Sequence, residues 1–370
     1  MKVLEVNVDD IGMGGVFSLV RNIIQQRDTE DLKIDIASIE QFENPNNIRN
    51  LAEYDCSVYY VGMTRNKTLK QFYCFYNLIR LIKDKGYDCV HIHADVANKL
   101  FVSGLASRIA GVRKIILHSH ASNVEGKHRA LKKIFHKACR NFLKYIGTDF
   151  LACSDYAAKW MYPNIKKEKI QFINNGINLR KFQFDTVKRD VIRRKLNVED
   201  CFVLGHVGRF HHVKNHKYLI KIFAKVVAHH PKSKLLLVGD GELKNEIQEL
   251  SQNLGIVDNI IFYGVSNQVE ILFQAMDCFV LPSFCEGFPI VGVEAQAAGL
   301  PVLFSNTITS TAKLIDEVKF LPITEDAIEL WSNTILDISN YKRYNTYHEL
   351  LERKFDISQT VETLTKLYLS

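Results

Sequence analysis

Two carboxylates, a guanidinium and an ammonium stand where strand-like runs give way to helical ones, places where a chain can gather charge around a ligand. The stretch over 278–306, CFVLPSFCEGFPIVGVEAQAAGLPVLFSN, reads as buried strand (278–282), loop, helix (289–299) and second buried strand (301–304). Pro289 suits a first helical position, since its missing N–H would be unpaired there, and Gly299 followed by Pro301 ends the helix. Such a unit aims free backbone N–H groups and the positive end of the helix dipole at a sheet edge, where anions bind. Glu286 lies in the loop; Glu294 follows about two turns along, among Ile, Val, Ala and Gly. A carboxylate in an apolar helix needs a partner, because burial without one is costly. A core ion pair or a solvent-facing position would satisfy Glu294 as well as a ligand would. A second strand, 202–207, runs into GRFHHVKNH, so Arg209 and Lys214 flank another strand-to-helix turn. Point charges beside helix N–H groups make an anion site there.

Other chemistry-bearing residues are less specific. His91 and His93, then His118 and His120 in IILHSHASN, recur with the period of two that puts each pair on one face of a strand. Four imidazoles could bind zinc, but the sequence supplies no carboxylate or thiolate at matching spacing, so hydrogen-bonded core histidines are the plainer reading. Strand 2–8 ends in DDIGMGGV, whose Gly14 and Gly15 allow a close backbone approach to a ligand. This turn is not the G-x-G-x-x-G fingerprint of a dinucleotide-dependent oxidoreductase. Asp9 and Asp10 are adjacent, which sends them to opposite faces, and no Asp-x-Asp motif stands at a strand end; no catalytic metal or cofactor is expected. Over 127–144, KHRALKKIFHKACRNFLK carries Lys127, Arg129, Lys132, Lys133, Lys137, Arg140 and Lys144 without an acid. Leu131, Ile134, Phe135, Ala138, Phe142 and Leu143 recur at helical spacing, a basic amphipathic helix suited to an anionic membrane surface or to a solvated face over the core.

The elements that must position these groups alternate along the whole chain. Strands are predicted over 2–8, 34–38, 58–61, 89–93, 114–119, 150–154, 170–173, 202–207, 234–239, 260–264, 278–282, 301–304 and 320–322. Continuous apolar strands separated by helices imply parallel sheets buried on both faces, and the number is too large for one sheet. At 370 residues two domains are expected, with the boundary in the polar, basic segment near 179–188. Composition is that of a globular protein, 47% hydrophobic and 24% charged, and the net charge of +7 favours an anionic ligand or surface. Eight cysteines without a C-x-x-C pair read as buried thiols of a reducing compartment. The N-terminus lacks a signal-peptide pattern and no apolar run is long enough to span a membrane, so a cytoplasmic, at most peripherally membrane-bound protein is expected.

The run EGFPIVGVEAQAAGLP over 286–301, with its Glu-x7-Glu spacing, resembles the signature of family-4 retaining glycosyltransferases. The G-R-F-x-x-x-K-N turn over 208–215 resembles that family's diphosphate-binding turn. The resemblance spans the chain, strong over 205–306 and loose over the first 150 residues. It implies an α/β GT-B architecture: a Rossmann-like acceptor domain (1–180), a Rossmann-like donor domain (181–345), a cleft between them, and C-terminal helices (346–370) returning to the first domain. It implies a sugar moved with retention from a nucleoside-diphosphate sugar to a hydroxyl of an acceptor glycan, expected to be lipid-linked, in cell-surface polysaccharide synthesis. Arg209, Lys214 and the N–H groups of Gly287, Phe288 and Ile290 would hold the leaving diphosphate, Glu286 the sugar hydroxyls and Glu294 the ribose. His120 would lie beside the transferred sugar, Gly14 and Gly15 near donor phosphates or acceptor, and Val265 and Ser266 against the base, with Pro289 completing the donor loop. Phe288 departs from the aliphatic residue common there, which bears on sugar or acceptor choice. A sugar-nucleotide epimerase or phosphorylase shares the architecture, though no phosphorylase cofactor lysine signature is present; a relic that binds membrane or polymer would not need all four charged residues. Nucleic acid is not an expected partner.

Overall fold

The Val/Ile/Leu runs form strands wherever they were predicted, and every ladder between them is parallel. The computed structural model describes residues 1–11, 15–27, 31–62, 70–120 and 129–370. Among these, seven strands make one sheet: β1 (Lys2–Val6), β2 (Lys33–Ser38), β3 (Val58–Tyr60), β4 (Cys89–Ala94), β5 (Lys114–Ser119), β6 (Asp149–Ala152) and β7 (Ile170–Phe172), in the order β3-β2-β1-β4-β5-β6-β7. Six more make a second: β8 (Phe202–Val207), β9 (Ser233–Val238), β10 (Ile260–Gly264), β11 (Cys278–Leu281), β12 (Val302–Ser305) and β13 (Val318–Leu321), in the order β10-β9-β8-β11-β12-β13. All six residues of β4 are buried, as expected for a strand covered on both faces. Each sheet reverses its winding once, between β1 and β4 in the first and between β8 and β11 in the second. In open α/β sheets ligands bind outside the carboxyl ends of the strands at such a reversal.

The chain separates into two units, Met1–Gly176 with Ile357–Ser370, and Ile177–Asp356. The crossing therefore falls a few residues before 181, because Leu179, Phe182 and Ile192 pack into the second core although the surrounding 174–197 segment is polar. The C-terminal helices also divide differently from the 346–370 expectation. Helix Tyr347–Glu352 stays with the second unit, where Leu350 and the following Phe355 are buried. Only helix Ile357–Leu369 belongs to the first unit, laying Ile357, Val361, Leu364 and Tyr368 against Val3, Ile23 and Ile34.

The basic helix differs most from its sequence reading. It spans Arg129–Arg140, followed by a short 3-10 turn, Leu143–Tyr145, while residues 127 and 128 lie outside the described set. The periodic apolar residues do not face the core: Leu131, Ile134, Phe135 and Phe142 are each more than half exposed, and of that set Leu143 alone is buried. The core-facing residue is His136, whose ring stacks on Trp160 at 3.9 Å, accepts from the Ala97 N–H (3.0 Å) and donates to the Trp160 carbonyl (3.1 Å). Burial holds that imidazole below its ordinary pKa, which keeps one nitrogen free to accept.

Candidate functional site

Both turns read from the sequence as anion sites leave the second sheet at its reversal. After β8 the chain turns through Gly208 and a 3-10 turn, His212–Lys214, into helix His216–His229. A Cβ on Gly208 would sit 3.2 Å from Lys214 Cε, so the glycine makes room for the lysine stem. Asn215 takes the left-handed conformation (φ 56°) and donates from Nδ2 to the Pro282 carbonyl (3.1 Å), tying this turn to the loop after β11. Lys214 Nζ donates to Glu286 Oε1 at 2.8 Å, with both side chains largely buried. Arg209 is not part of this pair; its Nε lies 3.5 Å from Glu242 Oε2 and its side chain is 55% exposed.

Helix Ile290–Ala297 begins one residue later than predicted, with Pro289 as its N-cap. The N–H groups of Ile290 and Val291 then have no intrahelical partner, and among the described residues those of Gly287 and Phe288 find no backbone acceptor either. Four free N–H groups thus stand beside the Lys214–Glu286 pair, an arrangement suited to a diphosphate. The Phe288 ring stacks on Phe355 at 5.5 Å, leaving its backbone as the group that can serve a ligand. The helix is drawn close to the sheet at Gly292, where a Cβ would meet Phe304 Cζ at 2.4 Å. Glu294 is half-buried with no hydrogen-bond partner among the described residues. Burial, then the nearby Glu270 carboxylate, push its pKa up to about 8; Lys181, paired with Glu270 at 3.0 Å, opposes them. Val265 and Ser266 follow β10 in an open loop, Val265 67% exposed and Ser266 Oγ accepting from the Gln268 N–H.

At the reversal of the first sheet lies a cavity of about 350 Å³ lined by Asp9, Gly15, His93, Asp95, Lys99 and His120, among others. Gly15 opens helix Gly15–Gln26, whereas Gly14 lies outside the described residues. The two aspartates do diverge. Asp10 is buried and accepts from the Glu43 N–H (2.6 Å), Asn44 N–H (3.0 Å) and Asn47 Nδ2 (2.8 Å), a structural role, while Asp9 lines the cavity with burial raising its pKa. The four histidines share one face and touch. A carboxylate does join them, contrary to the reading from spacing: Glu5 on the adjacent strand, its Oε2 2.7 Å from His93 Nε2. His91, His93 and His118 each offer a ring nitrogen within 4.8 Å of the others, a set that could hold a metal ion. In this structure those nitrogens are hydrogen-bonded to one another, to Glu5 and to Tyr368. All eight cysteines are among the described residues and none is in a disulfide.

Comparison with known proteins gives this geometry its family. Residues 13–181 match Glycosyltransferase Family 4, and residues 188–350 match Glycosyl transferases group 1. A Bacillus subtilis (strain 168) protein described as a glycosyltransferase, EpsF, is 30% identical over 300 residues, covering 79% of this chain and 77% of the relative. The chain belongs to glycosyltransferase family 4. The Escherichia coli UDP-Gal:alpha-D-GlcNAc-diphosphoundecaprenol alpha-1,3-galactosyltransferase is 28% identical over 320 residues, 83% of this chain and 82% of that one. Anabaena Alr3699/HepE, solved in complex with UDP and glucose, superposes with a TM-score of 0.79 at 19% identity over 100% of both chains, and the transferase shares its GT-B fold.

Three further groups in the transferase carry sequence signals of their own. Glu5 is an acid inside an apolar strand, the pattern that singled out Glu294. Asn215 stands in the residue class that tolerates the left-handed region. Asp9 is the cavity-lining half of the Asp9–Asp10 pair. Tyr368 carried no signal, because its partners lie more than 250 residues away.

Proposed function

We propose that the transferase moves a sugar from a nucleoside-diphosphate sugar, UDP-linked in the first instance, to a hydroxyl of a lipid-linked glycan during polysaccharide synthesis, with retention at the anomeric carbon and without a metal. One observation carries the reading: the Lys214–Glu286 pair beside four free N–H groups at the second sheet's reversal. A diphosphate entering there takes Lys214 from Glu286 and is held further by Arg209, which frees the Glu286 carboxylate for sugar hydroxyls. Glu294, without a partner, is suited to the ribose hydroxyls, and the loop at Val265 and Ser266 to the base. The acceptor oxygen forms its bond to the anomeric carbon on the side the diphosphate leaves, and the acceptor proton passes to the diphosphate. The UDP and lipid-linked features are supported by the relatives' names. A peripheral contact with an anionic membrane on the cytoplasmic side is supported by the exposed apolar and cationic residues of helix Arg129–Arg140 and the turn after it. No helix among the described residues is long and apolar enough to cross a membrane.

The test is a panel of UDP-, GDP- and ADP-sugars in EDTA, read by melting temperature and by slow release of nucleoside diphosphate. One donor should stabilise the fold, by about 2.7 kcal/mol at 100 times its Kd, and turn over. Absence of any shift across the panel contradicts the donor assignment, and turnover that requires a restored divalent ion contradicts the metal-free reaction.

A further inference from the structure

Glu5, His91, His93, His118, His120 and Tyr368 form one hydrogen-bonded network on the first sheet. Only His120 of the six is not fully buried. Burial alone would push the Glu5 carboxyl up, yet the ring N–H groups of His91 and His93 aimed at it hold it well below the usual carboxylate range. An ionised Glu5 can only accept, and from this the tautomers follow in order. His93 Nε2–H donates to Glu5 Oε2 (2.7 Å), so His93 Nδ1 is bare and accepts from His120 Nε2–H (2.8 Å). His120 Nδ1 is then bare, and it has no partner. On the other arm Tyr368 O–H donates to Glu5 Oε1 (2.6 Å), His91 Nδ1–H is shared between the tyrosine oxygen (2.8 Å) and Glu5 Oε2 (3.1 Å), and His118 Nδ1–H donates to His91 Nε2 (3.1 Å). That arm ends at His118 Nε2, which is fully buried and also unpartnered. Burial, then the neighbouring imidazoles, hold His93 down to about 4 and His120 lower than its ordinary value, so both rings are neutral.

We infer that Glu5 and His93 are positioning residues for His120: the ordered chain Glu5–His93–His120 fixes the tautomer that offers His120 Nδ1 as a hydrogen-bond acceptor to a substrate hydroxyl in the cavity between Asp9, Asp95 and Lys99. The inference rests on the proposed reading of the chain as a sugar-nucleotide transferase that binds substrate hydroxyls at this cavity. No proton changes owner; the network keeps His120 Nδ1 bare and unpartnered in a residue that lines the cavity, as a carboxylate does for a catalytic imidazole.

Long-range 1H–15N spectra of the histidine-labelled full chain test this without activity, with His120→Asn and His93→Asn assigning the signals. Nε2–H forms are expected for His93 and His120, and Nδ1–H forms for His91 and His118. Glu5→Gln should abolish that ordering and lower kcat about 10-fold, the size of one hydrogen bond made in the transition state, while the donor KM stays within about two-fold. Glu5→Asp should restore part of kcat. Tyr368→Phe removes only the tyrosine's own bonds, with His91 Nδ1 still 3.1 Å from Glu5 Oε2, so it should leave the His120 tautomer and kcat in place; it also serves if Glu5→Gln does not fold. Protonated Nδ1 on His120 in the parent, or a Tyr368→Phe that changes the His120 tautomer, overturns the relay. So does a folded Glu5→Gln with unchanged kcat. If the parent transfers no sugar but shows the predicted tautomers, the proposed function fails and the network stands.

Discussion

A carboxyl group that still holds its proton near neutral pH should leave a clear trace when a ligand claims it. Glu294 has its folded pKa raised to about 8 from an ordinary 4.5. The stability this confers is complete below about 4.5 and is lost as pH rises through 8, because the unfolded chain ionises first. Glu294→Gln should therefore melt a few degrees above the parent at pH 9 and coincide with it near pH 4.5, as thermal scans across that range will read. In the proposed site the ribose hydroxyls donate to the ionised carboxylate, so UDP binding at pH 7 should release part of a proton, measurable by calorimetry in buffers of different ionisation enthalpy. At Arg209 the expectation separates stability from function. Its exposed ion pair contributes about 0–1 kcal/mol, so Arg209→Ala should keep the parent's melting temperature while losing donor turnover.

Helix Ile290–Ala297 and helix Arg129–Arg140 illustrate opposite relations between sequence and structure. The first was legible because its punctuation is local: Pro before it, Gly299 in the left-handed region after it (φ +67°), and apolar residues between apart from Glu294 and Gln296. Its close seat on the sheet depends on Gly292, so Gly292→Ala should destabilise by roughly 1–3 kcal/mol through overpacking against Phe304, read as a lower denaturant midpoint. The second was legible as an amphipathic helix but not in its orientation. Periodicity identifies an apolar stripe without saying what covers it, and here the side chain packed inward is His136, chosen by the shape of Trp160 and the free N–H of Ala97. Exposed Ile134 and Phe135 can be changed together to Ser with melting temperature unchanged. Lys133 and Lys137 to Glu should reduce sedimentation with phosphatidylserine vesicles and leave the residual binding to neutral ones unaltered, since each cation contributes about 1 kcal/mol at such a surface, whereas the apolar double substitution should reduce binding to both.

On the scale of the whole molecule, the two parallel sheets were readable because buried parallel strands are uninterrupted apolar runs. Their reversals, and so the places where sites form, required the pairing of β1 with β4 and β8 with β11, which no local pattern encodes. The histidine network was hidden for the same reason: Glu5 reaches His93 across 88 residues, and Tyr368 reaches Glu5 across 363. Truncation after Asp356 should thus cost the first unit its cover over Val3 and Ile34 and leave Glu5 without its tyrosine, giving insoluble protein on expression. The central claim, that Lys214 and Glu286 exchange partners when a diphosphate arrives, is tested most directly by titrating UDP into three forms of the protein. Relative to the parent, Lys214→Ala should weaken UDP by at least about 10-fold, the loss of one charge-assisted hydrogen bond. Glu286→Ala should bind UDP as tightly or more tightly, because its lysine is already released, while turning over no sugar. UDP affinity untouched by Lys214→Ala, or lost in Glu286→Ala, would contradict the account.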